Sequence, residues 1–330
     1  MSETALVTGA TGFLGSAVAR ALVAAGHRVR VLARPSSDRK NLAGVDAELV
    51  VGDLDRPETL RAAVAGVSAL FHVAADYRLW VRDPAAMYHT NVAGSAALMR
   101  AAAEAGVSRA VYTSSVATLG IDPAGAATED TPVGLADMAG HYKRSKFLAE
   151  EAVQQVAGET GFPVVVVNPS TPIGPRDIKP TPTGRTIIMA ATGKMPAYVD
   201  TGLNLVHVDD CAQGHLLAFD KGRPGERYIL GGEDFSLAAM QVEIARITGG
   251  RAPKLKLPVG PLYPVALIAE LLARITGKEP MLMRDTLRMA RKRMFFSSEK
   301  AVRELGYRTR PAREGLSDAI AWFRDAGYLR

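Results

Sequence analysis

Three side chains in the first half of the chain are of types that can move a proton at a carbonyl. Tyr142 begins a stretch of helical periodicity and Lys146 follows four residues on, so phenol and ammonium share one helix face and can point at a common ligand. Ser115 closes the apolar run that starts at Ala110, where its hydroxyl can hold a reacting oxygen. A free tyrosine titrates near ~10, so a phenolate usable at neutral pH needs stabilisation on the order of 4 kcal/mol. Ser115, Tyr142 and Lys146 in this order suit a proton donor or acceptor working beside a hydride carrier.

A site for such a carrier stands at the start of the chain. The run Ala5 to Thr8 leads into Gly9-Ala10-Thr11-Gly12-Phe13-Leu14-Gly15, which opens a helix. Gly9 permits a tight turn, Gly12 lets backbone N–H groups approach a pyrophosphate, and Gly15 lets the helix pack closely on the sheet. The free N–H groups and dipole of that helix favour the anion. With a nicotinamide bound, its positive oxidised ring and Lys146 together could hold the Tyr142 phenolate. At the end of the second apolar run, where NAD binders place an acid on the ribose hydroxyls, this chain has Arg34, followed by Pro35-Ser36-Ser37-Asp38-Arg39-Lys40. A guanidinium with the Ser36 and Ser37 hydroxyls suits a 2'-phosphate, so NADP(H) is favoured over NAD(H). Asp53, in Gly52-Asp53-Leu54, is placed either to accept from an adenine amine or to cap a helix before Pro57.

The elements that must position these residues follow from periodicity. Apolar runs at Ala5–Thr8, Arg28–Ala33, Ala47–Val51, Ala69–Val73, Ala110–Ser114 and Val164–Val167 alternate with amphipathic stretches at Gly12–Ala25, Arg56–Val64, Pro84–Ala105 and Tyr142–Gly158. That alternation implies buried parallel strands joined by crossover helices. A Pro/Thr/Gly-rich stretch, Pro169–Gly184, reads as a long functional loop. Beyond it the expected helices are Arg185–Thr192, Val208–Asp220, Leu237–Thr248, Tyr263–Thr276, Ser298–Leu305 and Ser317–Ala326, with a short strand at Arg227–Leu230. The expectation is an α/β protein with a Rossmann-like doubly wound parallel sheet: a dinucleotide-binding domain over 1–168 carrying the triad, and a smaller C-terminal substrate-binding domain over 169–330. Elements near 203–220 should pack back on the first domain.

Composition bounds the rest. The chain has 330 residues, 48% hydrophobic and 22% charged, values of an ordinary globular protein. One cysteine, Cys211, allows neither a disulfide framework nor a thiolate metal cluster. His207, Asp209, Asp210 and His215 would not share a face on a helix from Val208, so no metal is expected. Met1 to Thr4 lead straight into a short strand rather than an apolar signal segment, and a cytoplasmic location is expected. The net charge of +6 is concentrated: Lys278 to Glu314 holds eleven Lys and Arg against five Asp and Glu, the whole of the excess. Such a cluster argues against a nucleic-acid partner.

The motifs together resemble the extended short-chain dehydrogenase/reductases of the NAD-dependent epimerase/dehydratase superfamily. The carrying residues are Thr8 to Gly15, Gly52-Asp53-Leu54, His72-Val73-Ala74-Ala75, Asn91-Val92-Ala93-Gly94, Ser114-Ser115, Tyr142 to Lys146, Asn168-Pro169-Ser170, Val206 to Asp210 and Glu304 to Tyr307. Asp76 to Trp80, Asn168 to Thr183 and Tyr198 to Asn204 resemble more closely the hopanoid-associated sugar epimerase group, neighbours of the dihydroflavonol reductases. The resemblance implies that Ser115, Tyr142 and Lys146 are the catalytic triad, that Ala74 and Ala75 cover the cofactor, and that Pro169 and Ser170 lie beside the nicotinamide. Two departures stand out. The run Ser115-Val116-Ala117 lacks the acid that nucleotide-sugar dehydratases use for elimination, and Arg34 replaces the acid of the NAD-holding epimerases.

Three functions are consistent with these observations: an NADP(H)-dependent reductase of a ketone or aldehyde, an NAD(P)-dependent epimerase of a sugar or nucleotide sugar, and a non-catalytic dinucleotide sensor, against which the intact triad argues. Candidate substrate residues are Asp76, Tyr77, Trp80, Asn168 and Arg176, Trp80 and Tyr77 being equally suited to a core. The expected partner is a small carbonyl, sugar or lipid-linked molecule, with a homodimer as the oligomeric form. The apolar stretch Pro264–Thr276 beside Arg284, Arg288, Arg291, Lys292 and Arg293 could lie on an anionic membrane; alternatively Arg284, Arg288 and Arg291, at helical spacing, form one solvated face while Leu282, Leu287, Met289, Phe295 and Phe296 pack inward or against a second subunit.

Overall fold

The computed structural model describes residues 3–280 and 282–329, so Met1 and Ser2 of the expected N-terminal lead-in lie outside the described residues. Strands β1 (Thr4–Thr8), β2 (Arg28–Ala33), β3 (Ala47–Val51), β4 (Ala69–His72), β5 (Arg109–Thr113) and β6 (Val164–Pro169) alternate with helices α1 (Phe13–Ala24), α2 (Leu60–Val64), α3 (Pro84–Tyr88), α4 (Ser95–Glu104) and α5 (Gly140–Thr160). The second half adds strands β7 (Thr171–Ile173), β8 (Ala197–Tyr198), β9 (Gly202–His207), β10 (Arg227–Leu230), β11 (Glu233–Ser236), β12 (Leu255–Lys256) and β13 (Arg293–Met294). Its helices are α6 (Pro182–Ala191), α7 (Val208–Lys221), α8 (Leu237–Thr248), α9 (Leu262–Thr276), α10 (Arg284–Met289), α11 (Glu299–Leu305) and α12 (Ala312–Asp325).

Seven strands form one parallel sheet in the order β10-β6-β5-β4-β1-β2-β3. Its chain order reverses between β1 and β4, which opens a crevice at their carboxyl ends. Alternate residues of one strand feed opposite cores: Ala5 and Val7 pack with α1 and α7, while Leu6 packs with α4 and α5. Tyr228 of β10 and Cys211 of α7 share the first of these cores with Val18 of α1, so the second half of the chain completes the sheet begun by the first. A second core gathers β7, β9, α6, α8 and α12, with Phe323 and Leu316 fully buried. There β9 pairs with β11 antiparallel and with β7 and β13 in parallel.

Several expectations change on contact with the structure. Strand β3 lies at the sheet edge and exposes Glu48, Leu49 and Val51, so burial on both faces holds only for inner strands. The single helix expected over Pro84–Ala105 is α3 and α4 joined by a π-helical turn at His89–Gly94. Pro169–Gly184 is shorter as a loop than it reads, because β7 and the first turn of α6 lie inside it. Helix α12 starts at Ala312, directly after Pro311, rather than at Ser317. Strands β9, β11 and β13 carry no strong sequence signal. Gly202, which opens β9, would put a Cβ 2.4 Å from the Phe295 ring, so a packing constraint, not periodicity, places it.

Glycine contrasts give a direct test of this packing. A Cβ on Gly15 would lie 2.2 Å from the Gly9 carbonyl oxygen, whereas one on Gly158, inside α5, meets nothing within 4 Å. Gly15→Ala is expected to destabilise by about 1–3 kcal/mol, and Gly158→Ala to be neutral or stabilising by up to ~1 kcal/mol. Thermal midpoints of both variants check this; an unchanged midpoint for Gly15→Ala would contradict the close approach.

Candidate active site

The turn after β1 is built by crowding. Gly9 has φ +75, and a Cβ on it would lie 2.7 Å from the Ala74 nitrogen. Gly12 donates its N–H to the Gly9 carbonyl (2.9 Å) and begins α1 with no side-chain cap. The first N–H groups of that helix, from Phe13 on, are therefore open to an anion. Ala74 is drawn over this loop by its N–H bond to Thr8 Oγ1 at 3.1 Å. Thr8 Oγ1 also bonds His72 Nδ1, and His72 Nε2 bonds Ser95. Burial holds His72 neutral, far down at about 3. Arg34 is exposed just past β2, with Ser36 exposed and Ser37 half-buried beside it. Asp53 accepts the Asp55 N–H and caps no helix. Leu54 is buried against Gly94, whose Cβ would meet it at 2.9 Å.

Strand β5 and helix α5 bring the triad together. Ser115 follows β5 and caps a short turn by accepting the Ala117 N–H at 3.1 Å. Tyr142 stands in the first turn of α5, close enough to Ser115 that the hydroxyl lowers its phenol, but burial outweighs this and pushes the phenol above its ordinary value. Lys146 is 2% exposed and donates to the Thr113 carbonyl at 2.8 Å and the Tyr112 hydroxyl at 3.1 Å. Burial lowers its ammonium to about 8 against the opposing pull of Glu150. Burial thus favours the phenol form of Tyr142, and Lys146 is held on β5 by its bonds to Thr113 and Tyr112.

Two buried groups fix this geometry. Glu150, one turn beyond Lys146, accepts from Ser114 and from Thr118 (3.1 Å), and Arg227 of β10 pairs with it at 2.8 Å. Asn91 sits in the π turn and bonds both the Asp76 backbone and Ser145 of α5 (3.0 Å). A π turn is a common way to aim one side chain inward at a functional site. Here it staples the segment after β4 to the helix bearing Tyr142.

A cavity of about 250 Å³ contains Ser115, Tyr142 and Ser170, and its walls are largely apolar, including Leu79, Leu203, Met294 and Phe296. Pro169 ends β6 immediately before it. Ser170 Oγ is buried without a hydrogen-bond partner. That orphaned hydroxyl, the crowded Gly9 and Gly15, and the uncapped α1 fit a dinucleotide stretched from α1 to the cavity. The proposed substrate residues stand elsewhere. Asn168 is fully buried and bonds the Ser115 carbonyl at 3.1 Å. Arg176 pairs with Asp209 at 2.9 Å. Asp76 is clasped by Arg78, whose hydrogen bonds overcome burial and keep the carboxyl low. Tyr77 and Trp80 are not among the lining residues, although their neighbour Leu79 is.

Sequence reasoning missed Lys143, a lining residue whose ammonium is lowered by burial and by Lys292. Its place one residue after Tyr142 was the available signal. His207 caps α7 by accepting the Asp209 N–H, Asp210 holds Arg310 at 2.7 Å, and His215 bonds Thr113. Among the described residues no group of three or more His, Cys, Asp and Glu side chains could hold a metal ion.

Known proteins place this geometry in context. Residues 5–231 match the model of the NAD dependent epimerase/dehydratase family. A Synechocystis protein provisionally named dihydroflavonol 4-reductase is 42% identical, the match covering 100% of this chain and 97% of that one. Sterol demethylase protein B of Methylococcus capsulatus is 36% identical over 99% of this chain and 100% of its own. The crystal structure of gox2253 is 56% identical, covers 100% of both chains and superposes with a TM-score of 0.90. The chain belongs to the NAD dependent epimerase/dehydratase family, and is an NAD(P)-dependent enzyme of the extended short-chain dehydrogenase/reductase type.

Proposed function

We propose that this enzyme reduces the ketone or aldehyde of a small, largely apolar molecule, with NADP(H) as cofactor and Tyr142 as proton donor. The observation that carries the proposal is the shared cavity: Ser115 and a phenol kept protonated by burial face a mostly apolar space of about 250 Å³. A reduced nicotinamide, when bound, supplies hydride. Ser115 then holds the substrate oxygen, and Tyr142 gives that oxygen its proton as charge develops on it. Lys146, still cationic near neutral pH, offsets the charge left on the phenol.

The names of the relatives point the same way, one a reductase and the other a sterol-modifying protein. An epimerase acting on a sugar finds less support. Sugar hydroxyls cost about 1–3 kcal/mol each when buried without partners, and most of the wall that the cavity presents is apolar. Elimination of water finds none: Val116 and Ala117 follow Ser115, and the nearby Glu150 is engaged with Arg227. Exposed Arg34 with Ser36 and Ser37 supports a 2'-phosphate at the far end of the cofactor.

Tyr142→Phe should remove nearly all turnover and leave cofactor affinity almost intact, because only the proton donor is lost; wild-type turnover in this variant would contradict the mechanism. Lys146→Ala should weaken both. Reduction in the wild type should fall as pH rises through about 8, where Lys146 loses its charge. A kcat/KM profile without that limb would remove the charge from the account. Titration of both cofactors should show NADPH binding tighter than NADH, with Arg34→Asp reversing the order; equal affinities in the wild type would refute the assignment.

A further inference from the structure

Helix α9 carries its bulk on the wrong side for a helix facing water. Its buried positions are small, Ala266 at 0% and Ala273 at 3% exposure, while Val265, Ile268, Leu272 and Ile275 form an outward stripe exposed by 55% to 82%. Leu267 and Leu271 widen that stripe. Single exposed apolar residues need no explanation, but a contiguous apolar helix face does. With 15 residues the helix is too short to cross a bilayer, and no helix among the described residues is long and apolar enough to do so.

Cations line one flank of this stripe. Arg284 of α10 donates to Glu270 of α9 at 2.8 Å, and the Arg291 guanidinium lies over the Tyr263 ring at 5.0 Å. These contacts lay α10 and the turn after it along α9. Among the described residues Lys278, Arg291 and Lys292 have no carboxylate within salt-bridge distance. A second copy would bring the same uncompensated positive charge to the contact. An anionic lipid surface offers the opposite charge.

We propose that the α9–α10 face lies in the plane of an anionic bilayer, with Ile268, Leu272 and Ile275 at the headgroup–acyl boundary and Lys278, Arg291 and Lys292 among the headgroups. Met289 of α10 also lines the cavity, so the docked element is a wall of the site. The docking stands on the exposed face alone and does not depend on the reaction assigned above.

Flotation of the full chain with vesicles of phosphatidylcholine alone, and of phosphatidylcholine mixed with phosphatidylglycerol, tests the proposal at low and high salt. The protein should float with the mixed vesicles, less at high salt, and far less with phosphatidylcholine alone. Arg291→Glu with Lys292→Glu should lower partitioning by roughly 25-fold or more, since each surface cation is worth about fivefold. Ile268→Asp with Ile275→Asp should abolish it, with thermal midpoint and cofactor affinity unchanged because both residues are exposed. Failure to float on mixed vesicles at low salt overturns the proposal, as does flotation indifferent to the Ile268 and Ile275 changes. Sedimentation showing a dimer that Ile268→Asp dissociates, without vesicle binding, would assign the face to a second copy instead.

Discussion

Glu150 sets a carboxylate beneath the end of β5, out of reach of water, and the architecture around the site keeps that charge satisfied. Arg227 reaches it from β10 at 2.8 Å, Ser114 and Thr118 from the turn after β5, and Asn168 of β6 stands beside them. Removing one partner of such a buried pair typically costs about 3–5 kcal/mol. The carboxylate therefore fastens three neighbouring strands at the level where Ser115 leaves the sheet. Glu150 is also one helical turn from Lys146, so the helix that brings Lys146 to β5 is anchored by the charge that opposes the lowering of its ammonium by burial. Placement and electrostatics of the triad have one source.

The same economy explains why Arg227 belongs to the first sheet although it lies far down the chain. Without β10 the Glu150 carboxylate would face an open sheet edge. The chain has to leave the dinucleotide half, build β7 and β9, and return before the active site is complete. Residues of β7, β9 and β13 then close the cavity from the other side, so the pocket belongs to both halves. Polar side chains line it at Ser115, Tyr142, Lys143, Ser170, Thr171, Thr181 and Thr183, and the rest of the lining is apolar.

Much of this was legible in the sequence because it rests on local rules. The glycine run between a strand and a helix, the apolar strands, and Tyr142 and Lys146 on one helix face need only near neighbours to be read, and the resemblance to extended short-chain dehydrogenase/reductases rested on these motifs. What escaped depends on distant partners. Asn168 and Arg176 read as substrate residues, but Asn168 spends its amide on the Ser115 carbonyl and Arg176 is held by Asp209. The π turn at His89–Gly94 keeps helical periodicity, so nothing in the pattern shows that Asn91 turns inward. For α9 the sequence left two readings open, a membrane-facing apolar stretch or an inward one, because an amphipathic pattern gives a face without saying which way it points.

The central claim is net reduction by the cavity that Ser115 and Tyr142 share, and the fate of the transferred hydrogen tests it most directly. A panel of apolar ketones and aldehydes is incubated with reduced NADP deuterated at the transferring position, and product and cofactor are measured together. The account predicts one deuterium retained in each alcohol formed and one cofactor oxidised for each. Failure of every ketone and aldehyde to oxidise the cofactor, together with inversion of a carbinol carbon when sugars and oxidised cofactor are supplied instead, would contradict it and make the enzyme an epimerase.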